Sequence, residues 1–85
     1  MTGSAPKLRF TTGEEVKTLR HRLGLNQSMF WTPFGVTQSG GSRYESGRNI
    51  PEPVQILLTI AHGTAKQSEA VVSWLRREDD VKRNG

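Results

Sequence analysis

Residues 27–45 read QSMFWTPFGVTQSGGSRYE, and the rest of the chain is organised around them. Phe34-Gly35-Val36-Thr37 form a tight corner. Gly35 is free to take the positive φ that a sharp turn between helices requires, and Val36 is expected to bury its side chain beneath the turn. Thr37 can cap the helix that follows. Upstream, Asn26 is a good N-cap for a helix starting at Gln27. Met29, Phe30 and Phe34 are that helix's apolar residues, and Trp31 sits on an adjoining face. Pro33 removes a backbone donor and disfavours helical geometry at Thr32, so this helix should be short or bent. Downstream, a third helix is expected from about Gln38 to Glu45, ended by Ser46-Gly47. Gly40-Gly41 inside it costs roughly 1 kcal/mol per Gly relative to Ala, so something must require small residues there. The bulky ring of Trp31 supplies the reason: the pattern predicts that Trp31 packs over Gly41.

The flanking segments supply three more helices. Thr12-Gly13-Glu14-Glu15 has the capping-box pattern. From it a first helix should run to about Leu23, with Val16, Leu19 and Leu23 as its core face and Gly24 as its terminator. Arg20 lies beside that stripe. A fourth helix, from about Pro53 to His62, carries Val54, Ile56, Leu57, Ile60 and Ala61. It is the most hydrophobic segment and is expected at the centre of the core. Thr64-Ala65-Lys66-Gln67 repeats the capping-box pattern and opens a fifth helix reaching about Arg77. Residues 1–11 are expected to form a flexible N-terminal arm. Within it Leu8-Arg9-Phe10 alternate as a short strand or arm would, with Phe10 packed onto its own domain. Residues 12–77 form the single domain, and the charged residues 78–85 form a flexible tail. The fold class expected is all-α, a compact five-helix domain.

Composition narrows the chemistry. Twelve Lys and Arg against eight Asp and Glu give a net charge of +4, which is compatible with a polyanionic partner without establishing one. The absence of Cys removes disulfides, thiolate metal sites and Cys nucleophiles together. No apolar run approaches the roughly 18 residues of a membrane span, and no signal-peptide pattern opens the chain. A cytoplasmic location is the simplest expectation. His21 and His62 fall on different helices with no carboxylate spaced to join them, so no metal and no cofactor are expected. With no His–carboxylate arrangement and no Gly-rich phosphate loop, an enzyme is poorly supported.

Two short helices around a tight corner, the second of them polar, have the form of a helix-turn-helix. The third helix offers Gln38, Ser39, Ser42 and Arg43, side chains suited to hydrogen-bonding base edges and phosphates. Close approach of backbone to DNA would be a second reason for Gly40. Tyr44 reads as core rather than contact.

These residues resemble the Cro/phage-repressor (Xre-like) family of helix-turn-helix regulators over roughly Glu14 to His62. The motifs are VKTLRHRLGLNQ, GVTQS, RYESGRNIP and ILLTIA, which begin at Val16, Gly35, Arg43 and Ile56. The resemblance implies a lambda-repressor-like domain in which the second and third helices read double-stranded DNA. Gln38, Ser39 and Arg43 would face the major groove, with Ser42 touching a base or a phosphate. Gln27, Thr37, Arg48 and Asn49 would hold the DNA backbone. Arg20 and Glu45 would form the family's buried ion pair. The sequence departs from the family where Trp31 stands in place of Ala and Gly41 in place of Ile or Val, and Pro33 is also unusual. The run W-x-x-x-G-V-T-Q-S-G-G-S-R-Y-E-S-G-R resembles a subgroup of small prophage and mobile-element regulators, some of them anti-CRISPR-associated.

A single domain of this size covers only a few base pairs, so a homodimer on a palindromic operator is expected. Val71, Val72, Trp74 and Leu75 offer more apolar surface than one edge of so small a domain needs, and they are the expected dimer interface, with the Leu8–Phe10 arm as an adjunct. The expected function is autorepression of the protein's own operon. The alternative is an antitoxin that binds DNA and a toxin protein, although the tail is short for wrapping a toxin.

Overall fold

Thr12 opens the first helix. Its Oγ1 accepts from the Glu15 amide at 3.3 Å while Glu15 Oε1 accepts from the Thr12 amide at 3.4 Å, so two otherwise orphaned donors are satisfied reciprocally. In the computed structural model, which describes residues 5–77, α1 spans Gly13–Leu23 and ends at Gly24 with φ 73°. Asn26 caps α2, Gln27–Trp31, by accepting from the Met29 amide at 2.8 Å. The backbone then tightens into a 3-10 turn over Thr32–Phe34, where the expected shortening at Pro33 falls. Gly35, φ 75°, turns the corner. Thr37 Oγ1 accepts from the Gly40 amide at 3.0 Å and starts α3, Gln38–Glu45. Then come α4, Glu52–His62, and α5, Ala65–Arg76, the latter closed at its start by a Thr64–Gln67 capping box. Among the described residues there are five α-helices and no strand.

The core gathers Val16 and Leu19 of α1, Phe30 and Trp31 of α2, Leu58 of α4, and Ile50 from the loop before α4. Burial of each such side chain supplies roughly 1.5–3 kcal/mol. Phe10 joins them, 7% exposed, held by a left-handed backbone at φ 59° and by the Arg9 amide donating to Thr59 Oγ1 at 3.0 Å. Phe10 therefore packs onto its own domain, and the residues just before Thr12 are docked on α4 rather than free as an arm of 1–11. Residues 1–4 and the expected tail 78–85 lie outside the described residues.

Helix α4, expected at the centre of the core, contributes to it along one side. Leu58 and Thr59 are buried while Leu57 is 44% exposed, because its outer side has no helix over it. Leu23, expected on the core face of α1, is likewise 44% exposed at that helix's end. One close contact was not foreseen: a Cβ on Gly13 would overlap the Tyr44 carbonyl, so α1 and α3 approach backbone to backbone at this glycine.

Candidate nucleic-acid interface

Helix α3 is seated from beneath by one aromatic ring. Trp31 is fully buried, and a Cβ on Gly41 would overlap its indole. The large residue on α2 and the small one on α3 are therefore steric complements. Tyr44, half-buried, adds a ring 5.5 Å from that of Trp31. At Gly40 an added Cβ would lie 3.2 Å from Val36 Cγ1 and 3.3 Å from Thr37 Oγ1, tight but not impossible.

A polar network runs beside this contact. Arg20 Nε donates to Glu45 Oε2 at 2.8 Å and Nη2 donates to Oε1 at 2.9 Å, a bidentate pair. Arg20 Nη1 donates to the Leu25 carbonyl at 2.9 Å. Trp31 Nε1 donates to Glu45 Oε2 at 2.8 Å, and Gln27 Nε2 to Oε1 at 3.2 Å. Burial by itself would raise the Glu45 carboxyl. The hydrogen bonds from Arg20, Trp31 and Gln27 outweigh it and hold its pKa below the ordinary value. The Arg20 guanidinium is raised, chiefly by its hydrogen bond to Glu45.

Gln27 thus sits between two partners. Its amide nitrogen serves Glu45 while its Oε1 accepts from Gln38 Nε2 at 2.7 Å. A carboxylate can only accept, so the Gln27 amide is turned with its oxygen toward Gln38. The sequence suggests Gln27 only as a phosphate contact; in the fold it also ties the first residue of α3 to the buried ion pair. No sequence spacing announces this link, since the two glutamines are eleven residues apart across a corner.

The outer side of α3 is open. Gln38, Ser39 and Arg43 are exposed and Ser42 is half-buried, while Thr37, Arg48 and Asn49 are exposed around them. Arg43, Arg48 and Asn49, with Gly40, Tyr44 and Pro51, line a notch of about 220 Å³. Between Val16 and Pro51 the only acidic residue is Glu45, which is buried and paired. No exposed carboxylate from this stretch opposes a polyanion near α3.

The four residues expected to form a dimer interface do not act together. Val71 is fully buried inside its own chain and is not available to a partner. Val72 and Trp74 are half-buried, and Leu75 is 46% exposed. His62 lies among Phe10, Phe30 and Phe34, stacked on Phe30 at 5.4 Å, and burial lowers its pKa. Among the described residues no group of three or more His, Cys, Asp or Glu could hold a metal ion, and no helix is long and apolar enough to cross a membrane.

Residues 17–61, from α1 through α4, match the family model described as the RsaL-like HTH domain. That is more than half of the chain's 85 residues. No curated protein matches the chain significantly, and no solved structure does. Domains of this type bind DNA, regulate transcription and are typically not enzymes. With its corner at Gly35, its seated α3 and its match across both, the chain belongs to the RsaL-like family of helix-turn-helix DNA-binding regulators.

Proposed function

We propose that the protein is a sequence-specific transcriptional repressor that binds an inverted-repeat operator as a homodimer and silences its own operon. One observation carries this reading. The inner side of α3 is fixed by Trp31 and the Glu45 network, while its outer side presents Gln38, Ser39, Ser42 and Arg43, and the sequence between Val16 and Pro51 contributes no exposed carboxylate. Gln38 suits an adenine edge, and Arg43 suits the O6 and N7 acceptors of guanine. Ser39 and Ser42 complete the base contacts. Thr37, Arg48, Asn49 and the remaining N–H of Gln27 hold phosphates. Val72, Trp74 and Leu75 on the outer side of α5 form the dimer contact. The two recognition helices then enter successive major grooves about 34 Å apart, and repression follows from occlusion of the promoter in the cytoplasm. The likeness of the motifs to Cro-type phage repressors, and to small prophage and anti-CRISPR-associated regulators, supports an operon of that kind.

The test is a mobility shift on the DNA immediately upstream of the protein's own gene, with scrambled competitor. A specific complex with two chains is expected. If each chain meets about five phosphates, log K should fall against log salt with a slope near −9. Arg43→Ala should relax specificity at one base pair per half-site, and Arg48→Ala should weaken all sequences alike. Unchanged binding of operator and scrambled DNA by Arg43→Ala would overturn the site. Binding without sequence preference, together with co-purification of a toxin encoded next door, would replace the repressor by an antitoxin.

A further inference from the structure

The side of α2 that faces away from α3 borders a cleft that plays no part in seating the recognition helix. The cleft lies between α4 and the 3-10 turn and measures about 450 Å³, within the roughly 300–1,000 Å³ of small-molecule sites. Its floor is aromatic. Phe30 and Phe34 lie 5.6 Å apart between ring centroids, and the imidazole of His62 is stacked on Phe30 with 19° between the planes. Met29 and Leu57, 58% and 44% exposed, stand at its rim. None of the lining residues is Asp, Glu, Lys or Arg, and His62 is shifted by burial toward its neutral form. The imidazole is the only titratable group facing the cleft from α2, the 3-10 turn or α4. Among the described residues its ring nitrogens make no hydrogen bond.

The walls are too short for a protein partner. Helix α2 and the 3-10 turn together span eight residues, roughly 12 Å at about 1.5 Å per residue. The cleft is lined by nine residues, against the roughly 20–30 a side of a stable protein interface. A second copy seated here would bury far less than a lasting dimer needs. A small molecule has the matching dimensions, and the imidazole gives it one polar anchor in otherwise apolar walls.

We infer that this cleft binds a small, uncharged, planar aromatic molecule that offers a hydrogen-bond acceptor to the His62 imidazole. Such a ligand touches Phe30, whose chain neighbour Trp31 seats α3 on Gly41, so occupancy acts on the short helix that positions the recognition helix. That regulatory step rests on the proposed DNA-binding function, whereas the binding itself does not.

The probe is Nile red, an uncharged planar dye with a carbonyl acceptor, titrated into the full chain and followed by fluorescence. Saturable enhancement with one dye per chain is expected. Leu57→Glu, which places a carboxylate at the rim, and Ala61→Phe, which narrows the cleft without charge, should each weaken binding at least about tenfold. Leu23→Glu at the end of α1, at a residue of equal exposure outside the cleft lining, should leave it within about twofold. Circular dichroism of each variant checks that the helices are intact, and the ¹⁵N shifts of the His62 ring should move on saturation. Absence of saturable binding, or equal loss in Leu23→Glu, would overturn the site. A change from dimer to monomer in Leu57→Glu, seen by sedimentation, would make the cleft a contact between copies and would also overturn it. At saturating dye the operator mobility shift should move its midpoint. A chain that binds dye but no specific DNA would sink the repressor reading and leave the cleft standing.

Discussion

Helix α2 has two sides that meet the rest of the molecule by opposite means. Toward α3 the contact is closed: Trp31 fills the space Gly41 leaves, and Glu45 receives donors from Arg20, Trp31 and Gln27. Toward α4 the contact is open: Phe30 and Phe34 meet His62 ring to ring, and a cleft remains between them and Leu57. A closed contact has one geometry and loses heavily when any part is removed. An apolar, partly open one tolerates change at its exposed rim, because little buried surface is lost there and no buried polar group is stranded. The same eight residues therefore hold the recognition helix rigidly on one side and leave adaptable surface on the other.

The sharpest way to break the contrast is to remove the carboxylate at the centre of the closed side. Glu45→Ala strands the buried Arg20 guanidinium and should cost roughly 3–5 kcal/mol, measured by urea unfolding. Arg20→Met added to it should recover part of that loss, since the stranded charge goes with it. A cost for Glu45→Ala below about 1 kcal/mol, the size of an exposed pair, would mean that the network does not hold α3.

Gly41→Ala comes next. In an ordinary helix the change would gain roughly 1 kcal/mol. Here the added methyl meets the indole, and overpacking should cost roughly 1–3 kcal/mol net. In a Trp31→Ala background the same change should be favourable, and the double-mutant cycle reads the coupling directly. Gly40→Ala, whose new methyl would meet only side-chain atoms at 3.2 and 3.3 Å, separates the two glycines: its cost should be much the smaller.

The closed side was the more legible of the two in the sequence. A Gly pair inside a helix is locally unfavourable, so its presence pointed to a large neighbour, and Trp31 was the one bulky residue at the right place on the preceding helix. Capping residues at Thr12, Asn26, Thr37 and Thr64 placed four helix starts within a residue, because each cap is a local interaction. Long-range contacts were hidden. Nothing in Gly13 announced a backbone contact with Tyr44, and nothing in Thr59 announced that it would pin Arg9, fifty residues away. Val71 looks like interface in the sequence because helical periodicity shows which residues share a stripe but not which part of that stripe is already covered. The outward α3 residues were implied by the family resemblance and by their polar types, whereas the link from Gln38 through Gln27 to Glu45 needed the corner's geometry.

The two sides should also titrate in different windows. Burial lowers the pKa of His62 from 6.5. Above pH 6.5 it is neutral in both folded and unfolded chains and adds no pH dependence. As pH falls below that value the unfolded chain takes up a proton the folded one resists, so stability declines toward the folded pKa. Glu45 is lowered from 4.5; its contribution is whole above that pH and is lost as pH falls toward the folded value. Stability should therefore decline in two stages on acidification. Unfolding curves of His62→Phe against wild type should remove the stage that begins near 6.5 and leave the one below 4.5. A single loss confined to the lower window would remove His62 from the account.

The smallest effects belong on the rim of the open side. Met29→Ala and Leu57→Ala delete side chains that are 58% and 44% exposed, so little apolar surface returns to water and no buried donor loses its partner. Each should change stability by no more than about 0.5 kcal/mol, measured by urea unfolding at neutral pH, and the pair should be additive. The contrast with Phe30→Ala tests how deep the cleft is. Phe30 is 2% exposed and stacks on His62, so its removal should cost roughly 3–5 kcal/mol. If Leu57→Ala cost as much as a core deletion, the rim would be part of a closed core and the two sides of α2 would not differ.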